Sequence, residues 1–218
     1  MPDLTLYITY KNYSSWSLRI WLLMRAVEIP FEEVLVPMND DASLPDMEGV
    51  SPTGKVPCLV DRERGVRIWE SIAITEYLAE IFSERAIWPK GLMVRARARA
   101  HVGEMHAGFM ALRSECPMNL RRRPSVIEIG EQARRDVLRA EAIFAECLDQ
   151  SGGPFLAGEF SALDAFFVPV LKRLQTYRLS EHAAVQTFAA ALDGVPAWQE
   201  WHAAALAETT VIKADEVP

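Results

Sequence analysis

Apolar positions recur along the chain in two rhythms, and the rhythm changes near residue 90. Ahead of that point, short runs with strand-type alternation trade places with helical ones. Leu4 to Tyr10 predicts a strand, Trp16 to Val27 a helix, and Phe31 to Val36 a second strand. Val56 to Val60 and Val66 to Trp69 predict two more strands, joined across the charged turn Asp61-Arg62-Glu63-Arg64-Gly65 as a hairpin. Ile74, Leu78 and Ile81 share one helical face just behind it. A β-α-β unit followed by β-β-α makes a small mixed sheet with helices on its faces. Pro89-Lys90-Gly91 then reads as a linker.

Beyond residue 91 the period is helical throughout. Met105, Phe109 and Leu112 form one stripe, while Ala100, Gly103, Ala107 and Gly108 are small enough to let another helix approach. Ser125 is placed to cap a helix that runs to Gln150 and stops at Gly152-Gly153. In "EFSALDAFFVPVL", Ser161 and Asp164 have capping-box spacing, so a helix starts there and is expected to bend or end near Pro169. Pro196 opens a last helix with Trp198, Trp201 and Ala205 on one side. The pattern predicts a small α/β domain over residues 1–84 and an all-helical domain over residues 92–218.

Composition narrows the function classes. Half of the 218 residues are hydrophobic, and 23 Lys+Arg against 30 Asp+Glu give a net charge of -7. That charge opposes nucleic acid and anionic lipid, so no nucleic-acid or membrane partner is expected. Without a signal-type leader or a long uncharged apolar stretch, a cytoplasmic location is expected. Cys58, Cys116 and Cys147 are widely spaced and odd in number, which fits reduced thiols. His101 and His106, five apart, do not share a helix face, and no metal site is expected.

Candidate chemistry starts at "YKNYSSWSLRIWL", residues 10–22, where three serines precede an apolar helix. The first amides of that helix are unpaired and its dipole is positive there, so an anion is stabilised in front of it. A hydroxyl at this spot either caps the helix or donates to a bound thiolate. Lowering a thiol pKa from about 8.5 to about 6.5 needs roughly 2.7 kcal/mol. One hydrogen bond to the anion gives about 1.5–3 kcal/mol and the helix end about 0.3–1 more, so no metal or general base is required. Further on, a cis Val56-Pro57 bond would turn the backbone N–H and C=O of Val56 toward an extended peptide. Glu70-Ser71 opens a helix whose N-terminus, with a free hydroxyl, is a carboxylate pocket. Together these sites would hold a short peptide with a carboxylate at one end and a thiol in the middle.

With "GKVPCLV", "ESIAITEYL" and "GEFSALDA" in this order, the chain resembles the glutathione transferases along essentially its whole length. The resemblance implies a thioredoxin-like N-terminal domain, a helical C-terminal domain, a homodimer, and glutathione as co-substrate. It further implies that Val56 pairs with the cysteinyl part of glutathione, that Pro57 is the cis proline behind it, and that Glu70 and Ser71 hold the γ-glutamyl end. Lys55 either reaches the glycyl carboxylate or stays solvated. Ser161 and Asp164 carry over as structural residues.

For the thiol, "NYSSWSLR" is similar to the serine loop of zeta-like classes. Ungapped counting from Arg19 puts Asn12 at the activating position, and a shifted loop puts Ser14 or Ser15 there; Ser14 leads, then Ser15, then Asn12. Ser17 should lie a turn inside the helix, and Tyr7 and Tyr10 read as strand packing. The electrophile is expected between the domains, against Met105, Phe109 and Met110, a pocket that suits a small hydrophobic molecule. The implied activity is conjugation of the glutathione thiolate. The alternatives are a cis–trans isomerisation of the maleylacetoacetate type and a non-catalytic glutathione-binding protein.

Overall fold

Alternation along Leu4–Ile8 becomes strand β1, with Leu4, Leu6 and Ile8 buried. The computed structural model describes residues 3–44, 47 and 49–217; the outermost residues of the two expected domains, 1, 2 and 218, lie outside these. β1 is followed by helix α1 (Ser15–Ala26), strands β2 (Glu32–Leu35), β3 (Cys58–Asp61) and β4 (Val66–Trp69), and helix α2 (Ser71–Ile81). The strands form one sheet in the order β2-β1-β3-β4. β1 pairs parallel with β2 through the α1 crossover, and antiparallel with β3, which forms a hairpin with β4. This is the expected mixed sheet, a thioredoxin-like N-terminal domain.

Two strands are shorter than their hydrophobic runs. β1 stops at Ile8 because the chain turns: the Ser14 amide bonds back to the Tyr10 carbonyl at 2.9 Å. Tyr10 therefore lies in that turn rather than in the strand. β3 starts at Cys58 instead of Val56, since Pro57 has no N–H to give the ladder.

The helical domain holds α3 (Leu92–Ala107), α4 (Met110–Glu115), α5 (Glu131–Ser151), α6 (Ala162–Thr176), α7 (Ala183–Asp193) and α8 (Pro196–Ala207). A 3-10 turn at Lys213–Asp215 follows. The Met105-Phe109-Leu112 stripe is split over two helices. Phe109 takes a left-handed φ of 59°, and a Cβ on Gly108 would meet the Glu104 carbonyl oxygen at 2.8 Å, so the chain kinks between α3 and α4. Ser125 is not a cap; its amide bonds to the carbonyl of Thr176 at 3.0 Å, and α5 begins only at Glu131. Pro169 neither ends nor breaks α6, which runs on to Thr176 with nearly every residue buried, so surrounding packing outweighs the one lost backbone bond. α7 had no clear start signal and was not anticipated.

Helix α1 joins the domains. Residues Leu18 through Met24 are all fully buried. A helix that is apolar all round needs cover on every side. The sheet and α2 supply one side, and α6 and α8 the other. Trp21 meets Trp201 of α8 edge-on at 5.2 Å, and the Trp201 indole N–H donates to the Lys11 carbonyl at 3.1 Å.

The linker is also fixed, since the amide of Ala162 bonds to the Ile87 carbonyl at 2.8 Å. The expected capping box at α6 is present. The Asp164 carboxylate accepts from the amides of Leu156 (2.8 Å) and Ser161 (2.9 Å) and from the Ser161 hydroxyl (3.2 Å). Burial pushes its carboxyl up to about 7 against those bonds. Replacing Asp164 by Ala orphans two buried amides and is expected to cost about 3 kcal/mol. Urea denaturation checks this; a loss below about 1 kcal/mol would contradict it.

Candidate active site between the domains

Two adjoining cavities, of about 340 and 360 Å³, lie between the domains and share Trp16, Lys55 and Val56 in their walls. The smaller is bounded by Val56, Pro57, Trp69, Glu70, Ser71 and His106. Val56-Pro57 is cis. Neither the N–H nor the C=O of Val56 has a partner among the described residues, so both are free to pair with an extended chain.

Opposite, Glu70 holds a φ of 82°, a region costly for a side chain, at the start of α2. Its carboxylate accepts from the Ile72 amide at 3.1 Å and the Ser71 hydroxyl at 3.3 Å, and lies 3.4 Å from His106 Nε2. The Ser71 amide has no partner among the described residues, leaving a helix N-terminus open to a carboxylate.

His106 reaches this cavity from α3 and was not anticipated as a site residue. It packs edge-on against Trp16 at 5.1 Å, and its Nδ1 is buried without a partner. Burial pulls its pKa below the ordinary histidine value; Glu70 opposes this, and Arg19 and Arg113 reinforce it. The signal that could have found it is position: it closes α3 at the domain boundary.

The larger cavity faces the N-terminus of α1. Ser14, Ser15 and Trp16 line it from the first domain, and Arg113, Met118, Arg173 and Asp215 from the second. Ser14 is the N-cap: its Oγ accepts the Ser17 amide at 3.2 Å and donates to Ser17 Oγ at 2.8 Å, which in turn accepts the Thr9 amide at 3.3 Å. The Ser15 hydroxyl has no protein partner among the described residues. The Trp16 ring carries Arg19 at 3.9 Å and Arg113 at 5.1 Å. Arg19 is fully buried, its one hydrogen-bond contact among the described residues is the Met105 sulfur at 3.5 Å, and burial holds its pKa well below the usual arginine range.

Asn12 stands elsewhere. Its amide nitrogen donates to Asn119 Oδ1 at 3.0 Å, its Oδ1 accepts the Arg121 amide at 2.8 Å, and its backbone amide donates to Glu208 at 2.9 Å. It is fully buried and lines neither cavity. Its hydrogen-bonding groups are spent on joining the loop before α1 to the segment before α5 and to the C-terminal tail.

That tail folds back over the domain boundary. Glu208 also accepts the Lys11 amide at 2.7 Å, Glu216 accepts from Tyr13 at 2.7 Å and Asn119 at 2.9 Å, and Arg121 donates to the Glu208 and Thr210 carbonyls. Ile212 is fully buried, and Asp215 reaches the larger cavity.

Residues 13–81 match the family model for the N-terminal domain of glutathione S-transferase, and residues 119–204 match that for its C-terminal domain. The chain belongs to the glutathione S-transferase family. It is 26% identical over 166 residues to a probable maleylacetoacetate isomerase of Caenorhabditis elegans, covering 76% of each chain. To glutathione S-transferase GstB of Escherichia coli (strain K12) it is 33% identical over 92 residues, 40% of this chain and 43% of that one. A glutathione transferase homolog from Burkholderia gl BGR1, solved with bound glutathione, superposes with a TM-score of 0.65 at 22% identity, covering 91% of this chain and 95% of that one. At that identity the superposition speaks for the fold.

Within this family member, Lys55, Val56, Pro57, Glu70 and Ser71 all come together around one cavity, while Ser14 and Ser15 line the neighbouring one. The expected electrophile pocket is corrected. Met105 is fully buried core under Arg19 and Arg113, Phe109 is buried at the kink, and Met110 is 61% exposed on the outside. None of the three lines the cavity. None of the cysteines lines either cavity; burial pushes each thiol up to about 11.

An Asn12→Ala change removes two side-chain bonds in a buried network and is expected to destabilise the protein by about 2 kcal/mol. Thermal or urea unfolding measures this; an unchanged midpoint would free Asn12 for another role.

Proposed function

We propose that the chain is a glutathione-dependent transferase that joins the thiolate to a small electrophile held in the larger cavity. The observation that carries this reading is the unpaired backbone pair of Val56 standing across Trp16 from the hydroxyls that open α1. Val56 pairs with the cysteinyl backbone, and the Ser71 amide and hydroxyl with Glu70 take the γ-glutamyl end. Lys55, exposed and without an ion pair among the described residues, takes the glycyl carboxylate. The sulfur then falls between the cavities, in front of α1. The Burkholderia homolog, solved with glutathione, supports the choice of peptide.

In this reading Ser14 donates to the sulfur. Its oxygen already accepts the Ser17 amide. If Ser17 Oγ donates back to it, two hydroxyl protons rotate and the Ser14 proton is released toward the cavity. A hydroxyl that accepts two hydrogen bonds is polarised into a stronger donor. Ser15 is the competing donor because its hydroxyl is unengaged. The protein supplies anion stabilisation and alignment, and glutathione supplies the nucleophile. The reading extends to a cytoplasmic homodimer acting in detoxification. The exposed apolar start of α3, where Leu92 and Met93 are 70% and 69% exposed, supports the dimer. A second reading, isomerisation of the maleylacetoacetate type, is favoured by similarity to the nematode protein, and an assay on that substrate tests it.

Thiolate absorbance of bound glutathione is expected to titrate near a pKa of about 6.5. Ser14→Ala should raise that value by about one unit or more and cut turnover about 10- to 100-fold. The same change removes a helix cap worth about 1 kcal/mol. Ser15→Ala should move the titration little. The opposite pattern assigns the role to Ser15, and no shift in either variant removes the hydroxyl from the mechanism. An unshifted thiol in the unmodified protein would favour a non-catalytic binder.

A further inference from the structure

Resting on the transferase reading, we infer that the larger cavity selects electrophiles bearing a carboxylate and that Arg173 is the residue that binds it. An apolar electrophile site was the expectation from sequence. The wall joins apolar groups such as Trp16, Met38, Leu44 and Met118 to charged ones: among the described residues, Lys55, Arg113 and Arg173 line the cavity with one carboxylate, Asp215. None of the four charged groups makes an ion pair among the described residues.

Arg173 is only 5% exposed. Nε donates to the Cys116 carbonyl at 2.8 Å and Nη1 to the Pro169 carbonyl at 3.1 Å, which fixes the guanidinium plane. Nη2 has no protein partner among the described residues, and the residue lines the cavity. The two carbonyl contacts call for N–H donors alone, and a neutral amide would meet part of that need. The positive charge is spent on neither contact, and Asp215 acts on it from the cavity wall without closing an ion pair; a buried cation left so is costly.

The neighbours deepen that deficit. Arg113 spends its terminal nitrogens on the Met105 and His106 carbonyls and leaves Nε buried without a partner. Arg19, behind Trp16, has two more unpartnered nitrogens. Arg113 and Arg173 thus stand in the wall with Arg19 behind it, and Arg113 makes both Arg19 and Arg173 harder to keep charged. A carboxylate entering between Nη2 of Arg173 and Arg113 supplies the missing anion. Its reactive carbon is then left toward Ser14, Ser15 and the sulfur. The transfer balances in the usual way: the thiolate forms a carbon–sulfur bond and halide leaves with its electron pair, while the carboxylate is unchanged.

The test uses a matched pair, 4-chloro-3-nitrobenzoate and 4-chloro-3-nitrobenzamide, with each enzymatic rate divided by its uncatalysed rate with glutathione. The corrected kcat/KM of the unmodified protein should favour the benzoate by about tenfold or more, as a charge-assisted hydrogen bond implies. Arg173→Gln should bring the ratio close to one, and Arg173→Lys should restore part of it. Asp215→Asn, on the tail, should raise it by removing the one anion in the wall. Independently of turnover, calorimetry on glutathione-saturated protein should show 4-nitrobenzoate binding at least about tenfold tighter than 4-nitrobenzamide.

If neither chloroarene turns over but the binding preference holds, the transferase reading falls and the carboxylate site stands. Equal rates and equal binding for the charged and neutral partners overturn the inference and leave the transferase reading untouched. The comparison in unmodified protein decides the matter even if an Arg173 variant fails to fold.

Discussion

The burial of Leu18 to Met24, on every side of α1, is the constraint on which the rest depends. Leu18 to Met24 leave no polar face, so this helix is stable only when the sheet covers one side and α6 and α8 the other. The two domains therefore cannot be regarded as a sheet unit with a helical unit attached. The first domain's own crossover helix is the inner surface of the second. One consequence is geometric: the N-terminus of a helix sealed along its length emerges at the domain boundary. That N-terminus, with Ser14 and Ser15, opens into the larger cavity, which residues from both halves line.

A second consequence is electrostatic. Arg19 lies on this sealed helix one turn behind its cap, and burial denies it both water and a carboxylate. Stacking on Trp16 and contact with the Met105 sulfur offset part of that cost. The positive helix end, Arg19 and Arg113 consequently converge on the same indole ring. In the proposed reading, a thiolate held beside that ring would meet this positive charge, which favours an anionic nucleophile. His106, whose pKa burial lowers, stands between Trp16 and Glu70.

How much of this was legible in sequence follows from which interactions are local. The hairpin turn at Asp61 to Gly65, the Ser161-Asp164 box and the Pro196 helix start are each fixed by neighbours within a few positions, and each was readable. Val56, Pro57, Glu70 and Ser71 were readable for the same reason: a proline before a strand and a hydroxyl at a helix start announce their backbone roles. The errors share the opposite cause. Met105, Phe109 and Met110 were grouped on a helical period that a left-handed residue at 109 interrupts. Asn12 looked available because its partners, Asn119, Arg121 and Glu208, lie more than a hundred positions away. Pro169 was read as a breaker because local propensity, not the packing around α6, was all that the sequence displayed.

Those long-range bonds also separate two tasks that the loop before α1 would otherwise confuse. Lys11, Asn12 and Tyr13 turn toward the tail and bind it through Glu208, Glu216 and the strap of Arg121. Ser14 and Ser15, the next two residues, turn toward the cavity. Anchoring the first three holds the cap in register, so the hydroxyls keep their aim without themselves bearing the load of the domain contact. The same anchor brings Asp215 to the rim, where its carboxylate stands against the arginines. The tail thus both anchors the loop ahead of α1 and brings a carboxylate to the wall of the larger cavity.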